Sequence, residues 1–199
     1  VQTCALPIFS GKAFKKLQPH QNVDQHELEA IFRSSEVIRK NVQQLLVDKR
    51  LRIRNLLSQQ EWERFVSLGL QEIEDNPKKY QKAQQDIKDA DSALLRRLKR
   101  VLEKKIKDPE SMKTALTSYE EFRSKLNRLT EESIEYTENN NQTVRAYNTN
   151  RSVLEEVFGE LNESRIETFM AFLEMRMELA QILPEKEWKS IARAFNKML

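Results

Sequence analysis

The chain has 199 residues, 33% charged and 39% hydrophobic, with 3 glycines, 5 prolines and a formal net charge of +3. That length suits one good-sized domain, so few turn formers point to long helices, and the apolar content argues against wholesale disorder. No apolar run approaches the roughly 18 residues that a membrane helix requires, and the net charge does not by itself imply a nucleic-acid partner.

Val1 to Ile8 (VQTCALPI) resembles the in-frame translation of a sequencing-library adapter, so native sequence is expected to begin near Phe9. Cys4 is then not native, thiol chemistry is not expected, and the missing targeting segment is uninformative. Residues 1–23 are read as an artefactual and flexible lead-in, and 24–199 as a single all-helical domain. Asp24 is the expected N-cap of a first long helix. Its stripe of Leu28, Ile31, Phe32, Ser35, Ile38, Val42, Leu45, Leu46, Ile53 and Leu56 alternates in threes and fours and is expected to face a partner helix.

At Leu57 the pattern changes. Ser58 and Glu61 make a capping box, and Leu57 with Trp62 makes the matching hydrophobic staple. A short helix follows, and Asp75-Asn76-Pro77 breaks it. A central hairpin is expected over 77–138: a basic helix from Pro77 to about Lys107, a break at Asp108-Pro109, and a second helix carrying Met112, Leu116, Tyr119, Phe122, Leu126, Leu129 and Tyr136. Asn139-Asn140-Asn141 then reads as a turn or fray point.

The remainder repeats the beginning. Leu154 to Trp188 matches Leu28 to Trp62 without a gap, at an offset of 126. The identical pairs are Leu28/Leu154, Glu29/Glu155, Phe32/Phe158, Arg39/Arg165, Arg50/Arg176, Leu57/Leu183, Glu61/Glu187 and Trp62/Trp188. Repeat copies thus occupy 28–66 and 154–192. The second corner keeps Leu183, Glu187 and Trp188, but Pro184 replaces the capping serine. The expected architecture is all-α: long antiparallel helical hairpins with a duplicated long helix–corner–short helix unit.

Catalytic motifs are absent: there is no Gly-rich phosphate loop, nucleophile elbow or zincin pattern, and neither catalysis nor a cofactor is expected. His20 and His26, with Asp24, suit a surface metal ion by ligand type, but they stand on a lead-in arm, and no metal site is assigned. Arg96, Arg97, Arg100 and Lys104 form a candidate basic face for anionic partners or a solvated flank of the hairpin. Phe169, Met170, Phe172, Met175 and Met177 cover more than one face of their helix. They form either a protein-binding or homodimer surface or the core of a helix buried on several sides.

The corners Leu57-Ser58-Gln59-Gln60-Glu61-Trp62 and Leu183-Pro184-Glu185-Lys186-Glu187-Trp188 resemble the LTxxQ motif of the Spy/CpxP family of periplasmic helical proteins, where it also occurs twice. Arg50 and Arg176 fit the family's basic, apolar-striped helix leading into the motif. Ser58 and Pro184 stand where the family has threonine, Glu61 and Glu187 where it has glutamine, and the copies lie further apart. The resemblance implies a stress-responsive periplasmic protein, often a cradle-shaped dimer, that binds unfolding clients without ATP or modulates an envelope sensor. The functional expectation is a non-enzymatic periplasmic helical binding protein, holdase-like in its sharpest form. The alternative is a cytoplasmic coiled-coil structural or adaptor protein with a dedicated protein partner. A metal-sensing variant using His20 and His26 is a third possibility.

Overall fold

The computed structural model describes residues 16–74, 85, 93 and 95–198. The expectations for Val1 to Ile8 with Cys4, for the Asp75-Asn76-Pro77 break and for most of the hairpin helix before Leu95 lie outside the described residues.

Capping residues set where the helices begin. Asp24 is extended (φ −65°, ψ 135°) and accepts from the His26 N–H at 3.0 Å, and helix α1 (Gln25–Leu56) follows. Leu57 turns the chain, and α2 (Gln59–Glu74) starts behind Ser58. Residues 95–105 are helical and are labelled α3. Asp108 accepts from the Ser111 N–H at 2.8 Å, with Pro109 at the head of α4 (Pro109–Arg145). Asn150 accepts from Val153 at 3.0 Å ahead of α5 (Arg151–Ile182), and beyond Leu183 lies α6 (Glu185–Met198). The fold is all-α, and no strand occurs among the described residues.

The duplicated unit is reproduced to the residue. Helices α1 and α5 both have 32 residues. Their N-caps (Asp24, Asn150), C-caps (Leu57, Leu183) and the first residues of α2 and α6 (Gln59, Glu185) all stand at the offset seen in the sequence.

Helix α5 lies between two antiparallel neighbours. On one side Phe32 of α1 stacks on Phe169 with centroids 4.0 Å apart, Gln43 pairs with Asn162, and Asp48 bonds Arg151. On the other side Phe122 of α4 meets the edge of Phe172, Lys125 bridges to Glu174 at 3.0 Å, and the Ser133 and Ser164 hydroxyls meet at 2.6 Å. Helix α3 returns along α4, where the buried Tyr119 hydroxyl donates to the Leu95 carbonyl at 2.9 Å. Leu98, Leu102 and Ile106 join Phe122, Phe172, Trp188, Ile191 and Phe195 in one core at that end of the molecule.

Four expectations are corrected. Residues 16–23 are not a loose lead-in arm: Gln18 and Val23 are buried, and Arg176 donates to the Gln18 and His20 carbonyls. Asn139, Asn140 and Asn141 do not form a turn: α4 runs through them to Arg145. The Asn140 side chain bonds back to the Tyr136 carbonyl at 2.9 Å, so the local alternative that usually diverts asparagine is used within the helix. The hairpin's second helix accordingly extends past the expected bound at 138, and the reversal falls at 146–150. The α1 stripe is only partly covered as well. Leu28 and Phe32 are buried, but further along α1 the seam with α5 passes through Glu36, Gln43 and Asp48, and Arg50 bonds the end of α4, which leaves Ile38, Val42, Leu45 and Leu46 in solvent. The reciprocal amide bonds between half-buried Gln43 and buried Asn162 (3.2 and 2.7 Å) satisfy both amides and hold this register.

Met175 is 2% exposed inside this core. Met175→Ala is expected to lower the unfolding free energy by roughly 2–5 kcal/mol, read from urea denaturation followed by circular dichroism.

Candidate functional site

The two corners are the best-defined local structures. At the first, the Ser58 N–H and hydroxyl both donate to the Glu61 carboxylate (2.8 and 2.7 Å), and the Glu61 N–H donates back to Ser58 Oγ at 3.3 Å. This is the expected capping box, and these bonds hold the Glu61 carboxyl below its ordinary 4.5. At the second corner Pro184 has no hydroxyl to offer, and Glu187 Oε2 is buried without a partner. Of the bonds within the turn, both corners share a backbone one: Trp62 N–H to Ser58 O and Trp188 N–H to Pro184 O, each 2.9 Å.

Each corner tryptophan lies under an arginine from the helix before it. The Arg50 guanidinium sits 5.0 Å from the Trp62 ring centroid, and Arg176 sits 5.0 Å from Trp188. These are cation–π distances. Both arginines also donate to the backbone of a loop. Arg50 reaches Val144 O (3.1 Å) and Ala146 O (2.8 Å), and Arg176 reaches Gln18 O (3.3 Å) and His20 O (2.6 Å). The acceptor pairs are again offset by 126. The Tyr147 hydroxyl donates to Leu57 O, just as Gln21 Nε2 donates to Leu183 O. Inside the loops, Ala146 N–H to Thr143 O matches His20 N–H to Leu17 O, and Thr149 N–H to Ala146 O matches Val23 N–H to His20 O. The segment leading into each unit therefore closes the corner of the other unit. With α1 and α5 antiparallel, the two copies are related by an approximate twofold inside one chain.

The copies differ in depth. Arg176 is completely buried, and burial pushes its guanidinium down to about 10. Arg50 is half-buried and is lowered too, first by burial and then by the neighbouring Arg54. Trp188 is buried with its indole N–H unpartnered, whereas the Trp62 indole N–H donates to Arg145 O at 2.8 Å.

The residues proposed from sequence fall in different places. Phe169, Phe172 and Met175 are buried between α1, α4 and the core, so in this arrangement they support packing rather than an open surface. Met170 is half-buried and lines a cleft of about 280 Å³ with Phe32, Val37 and Ile166, and Met177 is half-buried beside Arg176. Arg96, Arg97, Arg100 and Lys104 are all exposed along α3. Lys105 faces Lys186, Lys189 and Arg193 across a cleft of about 490 Å³. His20 and His26 are exposed, and among the described residues no group of three His, Cys, Asp or Glu side chains is placed to hold a metal ion. Nor, among those residues, is any helix long and apolar enough to cross a membrane.

The most distinctive surface feature is apolar. Ile38, Val42, Leu45, Leu46, Ile53 and Leu56 on α1, with Phe65 and Leu68 on α2, are all at least 40% exposed. Monomeric proteins rarely leave such a run of large side chains in water without a use for it. Phe65 and Leu68 were missed from sequence. Their positions in the second copy are occupied by Ile191, which is fully buried, and Ala194, which is half-buried, so the repeat itself marks them as an apolar face.

No family model, curated protein or solved structure matches the chain.

Two outcomes follow from the corners. Trp62→Phe should cost about 1 kcal/mol more than Trp188→Phe, because only Trp62 surrenders a hydrogen bond; urea titrations of the two variants measure the difference. Glu61 stabilises the native state fully above its ordinary value and loses that contribution as pH falls through its lower folded value. Glu61→Gln should therefore destabilise the protein at pH 7 and converge on the wild type well below pH 4.5, in thermal melts recorded across that range.

Proposed function

We propose that this chain is a non-enzymatic helical binding protein that holds apolar segments of other proteins on the exposed face of α1 and α2. The observation that carries the reading is that face: six large aliphatic side chains of α1, from Ile38 to Leu56, with Phe65 and Leu68, stand in solvent on well-capped helices. Apolar area removed from water supplies about 25 cal/mol per Å², with no need for a nucleotide. The binding element is already helical, so little backbone ordering opposes capture.

In its sharpest form this activity is that of an ATP-independent holdase working in the periplasm, as the corner motifs suggest. The exposed arginines on α3 would attract acidic clients from a distance, an effect weakened by salt. In this reading the client surface lies on the first copy and not on the Met- and Phe-rich helix of the second.

The test is suppression of aggregation of heat-denatured citrate synthase, followed by light scattering. The wild type should suppress it, and Leu45→Glu combined with Leu46→Glu should lose most of that effect while keeping its helical circular dichroism, since both positions are already in solvent. Unchanged suppression by the double variant would mean that clients do not use this face.

A further inference from the structure

On the seam between α1 and α5 the two copies match in polar detail and then part at one place. Glu36 and Asn162 are counterparts in the repeat, and each accepts from an arginine one turn further on: Arg39 donates to Glu36 Oε1, and Arg165 to Asn162 Oδ1 at 3.0 Å. Across the seam their surroundings differ. Asn162 exchanges amide bonds with Gln43, whereas the counterpart of Gln43 is Phe169, which offers Glu36 no donor. Glu36 is only 5% exposed, and its Oε2 is buried with no hydrogen-bond partner among the described residues. An acceptor buried without a donor is costly. The same carboxylate lines the cleft of about 280 Å³, whose walls are the stacked rings of Phe32 and Phe169 with Val37, Ile166 and Met170.

We infer that this cleft is a small-molecule site for a neutral, fused-ring compound bearing an O–H or N–H group, which donates to Glu36 Oε2. The site is separate from the client-holding face of α1 and α2 and does not depend on it. Apolar walls around a fixed polar group are the usual make-up of a ligand pocket. Volume sets the size of the compound. A dry cavity of about 150 Å³ accepts one benzene ring, so a cleft of about 280 Å³ admits a second ring. Charge sets its neutrality. Each carboxylate at the cleft already has an arginine, Glu29 with Arg33 at 3.9 Å and Glu36 with Arg39, and Lys40 stands at the rim. A cation would therefore find no carboxylate lacking a counter-charge. A carboxylate ligand would bring a like charge to Glu36 and no proton to donate.

The probe is β-naphthol, titrated into the full chain and followed by the methyl NMR signals of Val37, Ile166 and Met170. Those signals should shift saturably. β-Naphthol should bind ~10-fold or more tightly than its methyl ether, which keeps the rings and the oxygen but has no donor. Glu36→Met should bring the two affinities together, because the acceptor is gone while the side chain keeps its length. Met170→Trp should fill the cleft and weaken β-naphthol ~10-fold or more, with helical circular dichroism unchanged. Equal affinity of β-naphthol and its ether for the wild type would overturn the proposal, and that comparison stands even if Glu36→Met fails to fold. So would a preference for β-naphthol that survives in folded Glu36→Met, or shifts confined to methyls outside the cleft. Loss of binding in Leu45→Glu with Leu46→Glu would also sink it, since neither residue lines the cleft and the probe would then sit on the exposed α1 face.

Discussion

A helix that is apolar on more than one side must be covered on more than one side, and α5 imposes that requirement on the whole molecule. Its buried residues include Leu154, Val157, Phe169, Phe172, Leu173, Met175 and Leu179, which do not fit on a single stripe. Helix α1 covers one side through Phe32, α4 covers another through Phe122, and the α6 residues Trp188, Ile191 and Phe195 close the end. Without α5, α1 and α4 would meet at one end, where Arg50 bonds the Val144 carbonyl, and not along their length. The first copy has no such helix at its centre: α1 reaches α5 along one partly polar seam and leaves its other apolar side in water.

The corners show how duplication survives divergence. What is shared between the copies is an arginine over a tryptophan, a backbone bond across the turn, and a loop from the opposite unit whose carbonyls receive the guanidinium. Everything that differs around them is tolerated because the acceptors are backbone carbonyls, which every residue type supplies. The first corner adds a complete capping box at the surface. The second lacks it and is embedded in the core, where packing takes over from side-chain capping.

The same asymmetry appears in how far each copy is covered. One copy is built into a closed core by the α3–α4 hairpin, and the other keeps the equivalent face open. Capping and corner geometry keep the open copy helical, so its aliphatic residues are displayed on a fixed ridge rather than on a loose segment.

The sequence by itself determined the helices, the caps at Asp24, Ser58 and Asp108, and the 126-residue duplication with its paired Arg and Trp. These are short-range or periodic signals, set by groups within a few residues of one another. It did not determine that Asn139 to Asn141 stay helical, because a run of asparagines yields to the helix once neighbouring turns are packed. Nor could it show the loops 16–24 and 142–150 as equivalent, since their matching groups are carbonyls and amides with no trace in residue identity. Only the tertiary structure decided which of two similar apolar helices would be buried. The Phe169, Phe172 and Met175 cluster and the Ile38, Val42 and Leu46 stripe are both plausible cores by periodicity. The Gln43–Asn162 pair and the seat of α4 on α5 put the first inside and left the second in water.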